Sequence, residues 1–219
     1  MTAPGVVAIV QARMSSRRFP GKVLVPFKGR AILDHVLTVV EGVVGVPRVI
    51  VATSVEPSDD PIATFANARD TRVVRGDLAN VLARYRDAAQ TVDAEWILRV
   101  SADSPMLDPE VLRRVIKAAD DGSDVVTTTR PRTFPRGRNA ELIRRSALMS
   151  ADAARASADE QEHVTPYFYN RPATFRIRNV ESGHPEWAEA SLAVDTPEDL
   201  AYLERITAAE LNRFSLAHS

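Results

Sequence analysis

The run Gln11-Ala12-Arg13-Met14-Ser15-Ser16-Arg17-Arg18-Phe19-Pro20-Gly21-Lys22 gathers four cations, small residues and a glycine into twelve positions. That mixture suits a polyphosphate. Arg forks and a Lys point charge neutralise phosphate oxygens, and small residues such as Ser15, Ser16 and Gly21 let the backbone come close. The run matches neither a Walker loop nor a GxGxxG, so no P-loop or dinucleotide mechanism follows from it. A solvated basic loop is the plain alternative. Two carboxylates, Asp103 and Asp195, each stand just beyond a predicted strand, where they could hold a hard cation such as Mg²⁺ beside phosphates. Each also reads as a helix cap or turn former, Asp195 the more so because Thr196-Pro197 follows it.

The charge order reinforces the first cluster. The 219 residues carry a formal net charge of −1, yet no acidic residue precedes Asp34, while Arg13, Arg17, Arg18, Lys22, Lys28 and Arg30 do. A near-neutral total argues against nucleic acid as a partner, since such proteins are usually basic. With no cysteine, disulfide frameworks, thiol nucleophiles and thiolate metal sites are excluded. No apolar run reaches the roughly 18 residues of a membrane span, and the Met1-to-Gly5 start lacks the pattern of a signal peptide. The expectation is a cytoplasmic protein with no membrane partner, in one domain over 1–219.

The elements that must position these residues alternate. Val6 to Val10 reads as a buried strand, and the basic loop follows it. Ile32, Leu33, Val36, Leu37 and Val40 then recur at helical spacing. Arg48 to Thr53, Val73-Val74, Trp96 to Val100, Asp124 to Thr128, Phe175 to Val180 and Ser191 to Val194 read as strands. Helices are predicted from Asp60-Pro61, over Val81 to Ala89, from Asp108-Pro109-Glu110, near Arg144 to Ala156, and after Thr196, where Asp199 can close a capping box. Alternating strands and helices mean a mostly parallel sheet covered on its faces. Ligands of such sheets bind beyond the carboxyl ends of the strands, where the basic loop, Ser101 to Pro105 and Asp195 all fall.

These segments resemble a known family. Ile9-Val10-Gln11-Ala12-Arg13-Met14 with Arg18-Phe19-Pro20-Gly21-Lys22-Val23-Leu24 is similar to the opening of the acylneuraminate and Kdo cytidylyltransferases, above all their SpsF-type spore-coat polysaccharide branch. The likeness continues through Val51-Ala52-Thr53-Ser54, Arg75-Gly76, Val81-Leu82-Ala83-Arg84-Tyr85, Arg99 to Pro105, Pro135-Arg136-Gly137, Glu162 to Pro166 and Val194 to Leu200. The resemblance implies a three-layer GT-A-like α/β fold with a mostly parallel sheet, in which CTP and a sugar acid give a CMP-sugar and pyrophosphate with Mg²⁺.

Carried over by position, the resemblance places Arg13 and Lys22 on the triphosphate, with Gln11, Ala12 and Arg18 in the same nucleotide loop. Arg75, Gly76 and Ser101 border the base and ribose, and Asp103 and Asp195 become the metal ligands. Arg136, Asn139, Glu141 and His163 face the acceptor, Arg136 being suited to a carboxylate. Residues 130–185 are expected to serve the acceptor and to form a homodimer contact. The family usually has Gly where Ala102 stands, and the SpsF branch often has Asp at Asn139, so the acceptor recognised here is expected to differ. Two other functions fit the same residues: a GT-A-like glycosyltransferase using a nucleotide-sugar, and a non-catalytic nucleotide-binding protein.

Overall fold

The segment Val-Val-Ala-Ile-Val-Gln forms β1 (Val6–Gln11), and its side chains alternate between two buried clusters. Val6, Ala8 and Val10 enter one, Val7 and Ile9 the other, as the two-residue period of a strand requires. A strand buried on both faces needs a cover on each. The computed structural model describes residues 5–45 and 48–216; of the Met1-to-Gly5 start, Gly5 alone lies within the described residues.

Among them, β1 joins β4 (Val49–Ser54), β5 (Arg72–Gly76), β6 (Trp96–Ser101), β7 (Val125–Thr127), β8 (Glu141–Arg144) and β9 (Ile177–Asn179) in a seven-stranded sheet, ordered β5-β4-β1-β6-β8-β7-β9. Only β8 runs against its neighbours, so the sheet is mostly parallel. β2 (Pro26–Phe27) and β3 (Arg30–Ala31) form a separate small hairpin.

Helices α1 (Ile32–Val44), α2 (Asp60–Ala68) and α4 (Pro109–Lys117) press Leu33, Val36, Ile62, Val111 and Leu112 onto one face. On the other face, α3 (Val81–Gln90), α5 (Arg145–Ser150) and α7 (Pro166–Tyr169) contribute Leu82, Tyr85, Leu148 and Phe168. The three-layer α/β arrangement expected from the alternating pattern is therefore present. α6 (Ala158–His163) packs beside α3 and α7, and α8 (Pro197–Arg205) closes a third cluster with Phe27, Leu192 and Val194. No helix among the described residues is long and apolar enough to cross a membrane.

From β1 the chain moves to β4 and β5 on one side, then returns to β6 on the other. Such a reversal opens a crevice at the carboxyl ends of the two central strands, here where Gln11 pairs with Ser101. Asp108 caps α4 through the Glu110 N–H, and Thr196 with Asp199 forms the capping box of α8, both as the sequence predicts.

Three local expectations are corrected. Ser191 to Val194 is no strand: it makes one isolated bridge, Ser191 to Arg136, because it runs beside a loop instead of a sheet edge. Asp60 does not cap α2; a 3₁₀ turn, Pro57–Asp59, precedes that helix, and the Asp59 carboxylate is used elsewhere. The helix expected near Arg144 to Ala156 is shorter, Arg145–Ser150, and follows a strand, β8, that the charged ends of Glu-Leu-Ile-Arg concealed.

The Ser191 bridge has a structural consequence. Arg136 N–H donates to Ala190 O (3.0 Å), Leu192 N–H donates to Arg136 O (2.7 Å), and Val194 N–H donates to Asp103 O (2.9 Å). This series ties the Pro135-to-Gly137 loop to the segment that delivers Asp195. Gly137 sits at φ +87°, and a Cβ there would lie 2.5 Å from the Leu192 carbonyl carbon. Gly137→Ala is expected to cost about 2–4 kcal/mol through left-handed strain and backbone overlap, read as a lower denaturant midpoint.

Candidate active site

Gly21, at φ +75°, turns the chain into a 3₁₀ turn whose first residue is Lys22. The Lys22 side chain is only 9% exposed. Its ammonium donates to Asp103 Oδ2 (2.9 Å), Asp195 Oδ1 (2.9 Å) and the Val194 carbonyl (2.7 Å), an acceptor for each of its three protons. Arg18 Nη2 meets the other Asp195 oxygen at 2.8 Å. Burial opposes ionisation of Asp195, but Lys22 and Arg18 outweigh it and hold the carboxyl below its usual range. Asp103 and Asp195, proposed from sequence as a pair, thus face one another across a shared cation.

That donor set suits a hard divalent ion. Two ionised carboxylates already share a positive charge, and an ion that keeps part of its hydration can complete its shell with water and phosphate oxygens. No group of three or more His, Asp or Glu residues that could hold a metal occurs among the described residues, so protein ligands alone would not complete the shell.

The basic loop is anchored at Met14. Its N–H donates to Asp59 Oδ1 at 2.7 Å, and its carbonyl accepts from Ser16 N–H (2.9 Å) and Gly21 N–H (2.8 Å). Asp59 is fully buried, and its second oxygen accepts from the Ser54 N–H at 3.1 Å and the Ser54 hydroxyl at 2.5 Å. Burial raises its pKa, yet these hydrogen bonds prevail and leave it below the ordinary carboxylate value. The sequence offered no way to separate Asp59 from the capping residue expected beside it. Arg13 reaches across to Glu162 on α6 at 2.9 Å. Ala12 is buried and gives its N–H to Ala52 O, while the Gln11 side-chain oxygen is buried without a partner.

The remaining predicted residues divide. Arg75 braces the β4–α2 connection: it donates to Ser54 O (2.7 Å) and Glu56 O (2.9 Å) and pairs with Asp60 (2.7 Å). Gly76, beside it, lies against the Arg84 side chain. Ser101, by contrast, lines a cavity of about 250 Å³ together with Asp103, Arg132, Arg136, Asn139 and Glu141. A larger cavity, about 690 Å³, shares Arg132, Asn139 and Glu141 and adds Arg130, His163 and Tyr169. All four residues assigned to the acceptor therefore line one or both cavities.

Within them Glu141 is buried and held by Arg99 Nη1 (2.5 Å) and the Tyr169 hydroxyl (2.6 Å). Burial and the neighbouring Glu141 charge push the Tyr169 phenol well above its usual pKa. Asn139 accepts from Arg132 Nη1 at 2.5 Å. His163 stands exposed, 3.8 Å from Asp159. Arg99, Arg132 and Tyr169 escaped sequence reading, although an arginine inside the apolar run Trp-Ile-Leu-Arg-Val was a usable signal.

The Met14 anchor yields a direct expectation. Asp59→Ala should lower stability by about 1.5–3 kcal/mol, the usual effect of losing hydrogen bonds to a buried charge. Hydrogen exchange should accelerate selectively at the Met14, Ser16 and Gly21 amides, with β6 still protected; uniform acceleration would mean the carboxylate serves the whole fold and not this loop.

Comparison with known proteins identifies the family. A family model described as cytidylyltransferase matches residues 7–218. The spore coat polysaccharide biosynthesis protein SpsF of Bacillus subtilis is 34% identical over 203 residues, covering 89% of this chain and 82% of its own. A 3-deoxy-manno-octulosonate cytidylyltransferase of Anaeromyxobacter is 25% identical over 241 residues, covering 93% of this chain and 97% of its own. Among solved structures, a cytidylyltransferase from Leptospira borgpetersenii superposes with a TM-score of 0.87 at 28% identity, covering 98% of this chain and 92% of that one. With its three-layer sheet and the Lys22 centre at the crevice, this chain belongs to the cytidylyltransferase family.

Proposed function

We propose that this protein transfers CMP from CTP to the hydroxyl of a sugar acid, releasing pyrophosphate, for surface polysaccharide synthesis. The observation that carries the reading is the convergence of Lys22, Asp103 and Asp195 at the carboxyl ends of the central strands, in a chain of the cytidylyltransferase family. The curated relatives are a polysaccharide biosynthesis protein and an enzyme named for transfer to 3-deoxy-manno-octulosonate.

The chemistry is one displacement. The acceptor oxygen forms a bond to the α-phosphorus, the bond from that phosphorus to pyrophosphate breaks, and the hydroxyl proton passes to solvent. No protein nucleophile is needed, so positioning and charge stabilisation carry the rate. Arg13 and Lys22 neutralise the triphosphate and the departing pyrophosphate. Arg18 supports the loop through Asp195. Asp103 and Asp195 would hold Mg²⁺, which when bound supplies charge stabilisation at the phosphoryl oxygens. Without a metal, the Lys22 ammonium is the counter-charge that keeps the two carboxylates together. A triphosphate is the more highly charged ligand than a nucleotide diphosphate-sugar, and the cations of this loop match it.

Pyrophosphate release, measured with CTP, Mg²⁺ and a panel of sugar acids, tests the reading. Turnover should require the metal, and Asp103→Asn or Asp195→Asn should each lower it by about 10²–10³-fold with the fold retained by circular dichroism. Lys22→Met should do the same and also lower thermal stability in EDTA, because Asp103 then loses its cation and faces an Asp195 that keeps Arg18 alone. Absence of release with every acceptor, together with sugar transfer from a nucleotide-sugar, would overturn the assignment.

A further inference from the structure

The acceptor cavities carry more positive charge than a sugar acid can balance. Every carboxylate in their walls is already engaged: Glu141 by Arg99 and Tyr169, Asp103 by Lys22. Arg130, Arg132 and Arg136 remain, and among the described residues none of the three has a carboxylate within ion-pairing distance, whereas Arg69, Arg138, Arg144 and Arg171 each do. No residue of the Gln11-to-Lys22 loop lines either cavity; the smaller one adjoins the nucleotide residues through Ser101 and the Lys22 partner Asp103, and the larger one, which holds Arg130, contains neither.

Arg130 and Arg136 are exposed and Arg132 is half-buried; Arg130 and Arg132 are also held in place. Arg130 lies 4.3 Å over the Tyr169 ring, and that ring is fixed by the Glu141 bond; the Arg130 N–H donates to Asn179 Oδ1 at 2.9 Å. Arg132 bridges back to Thr129, which puts both arginines on one tight turn. Its only side-chain partner is the neutral Asn139 amide. Burial and the nearby Arg136 charge depress the Arg132 pKa, with the Glu141 charge opposing them in part. Arg136 is carried by the Gly137 loop on the Asp103 side, within the smaller cavity, and Arg130 lies in the larger. Positively charged walls are therefore present at two places, with Arg132 common to both.

Resting on the CMP-transfer reading of these cavities, we infer that the acceptor carries two separate anionic groups, a carboxylate at Arg136 and Arg132 and a phosphate monoester at Arg130. A carboxylate with a phosphomonoester brings about −2.5 to −3 at neutral pH, which balances three guanidinium charges; a carboxylate alone leaves two of them unmatched. Arginine forks match both groups in geometry.

Calorimetry with three probes tests this: 6-phosphogluconate, gluconate and glucose 6-phosphate. The wild-type protein should bind 6-phosphogluconate about 10–100-fold more tightly than either single-anion probe. Arg130→Gln should reduce 6-phosphogluconate to the affinity of gluconate while leaving gluconate itself unchanged. Equal affinity for the three probes, including no binding by any, overturns the inference, as does an advantage that survives in Arg130→Gln. The two readings fail separately. Preference for the doubly anionic probe without pyrophosphate release from CTP under any acceptor would refute CMP transfer, whereas release with singly charged sugar acids and no preference would refute the second anion.

Discussion

An ammonium removed from water must be met by acceptors, and Lys22 meets three. They come from the end of β6, from the segment leading into α8, and from the main chain beside it. Because each acceptor is distant in sequence, the contact is a long-range constraint that local propensity could not supply. It fixes the carboxyl end of the basic loop, sets the separation of the two carboxylates, and draws α8 over the crevice. The Gly137 loop reinforces the same arrangement through its hydrogen bonds to Ala190 and Leu192. Asp59 performs the equivalent task at the other end of the loop, by holding Met14. A loop pinned at both ends can present cations to a ligand without a large entropy loss on binding.

Charge is distributed by role across the site. Arg18 and Lys22 pair with Asp195 and Asp103, and Arg13 with Glu162, so the cations assigned to the nucleotide are matched by carboxylates of the chain. The acceptor side is not so matched: its acids are consumed internally, and three arginines face open space. Asn139 adds to that asymmetry, since its neutral amide gives Arg132 a hydrogen bond without a charge.

How much of this was legible in the sequence depended on the range of the interaction involved. β1, α1 and α3 declared themselves by period, and the α8 capping box by spacing, because all are local. The order of the charges identified the basic loop, and the position of Asp103 after a strand placed it at the crevice. Ser191 to Val194 misled because its extended, apolar character serves a loop contact with Arg136 instead of a sheet. Asp59 was hidden beside Asp60, where two adjacent acids offered one obvious capping role, and only the fold shows the Met14 N–H waiting above it. Arg75 reads as a nucleotide contact, and the fold adds that its guanidinium spans the β4–α2 connection. Of the arginines lining the two cavities, Arg136 is singled out by its Pro-Arg-Gly setting, whereas Arg130 and Arg132 give no signal, since their lack of acidic partners is a property of three-dimensional neighbours.

On the proposed reading, Asp103 and Asp195 would hold a divalent cation in place of the Lys22 ammonium when a nucleotide is bound. Anomalous diffraction from a crystal grown with CTP and Mn²⁺ tests it most directly. The account predicts a single strong manganese peak between the two carboxylates, with Lys22 Nζ moved onto a phosphate oxygen. A manganese ion bound elsewhere, with Lys22 still bridging Asp103 and Asp195 beside bound CTP, would contradict it.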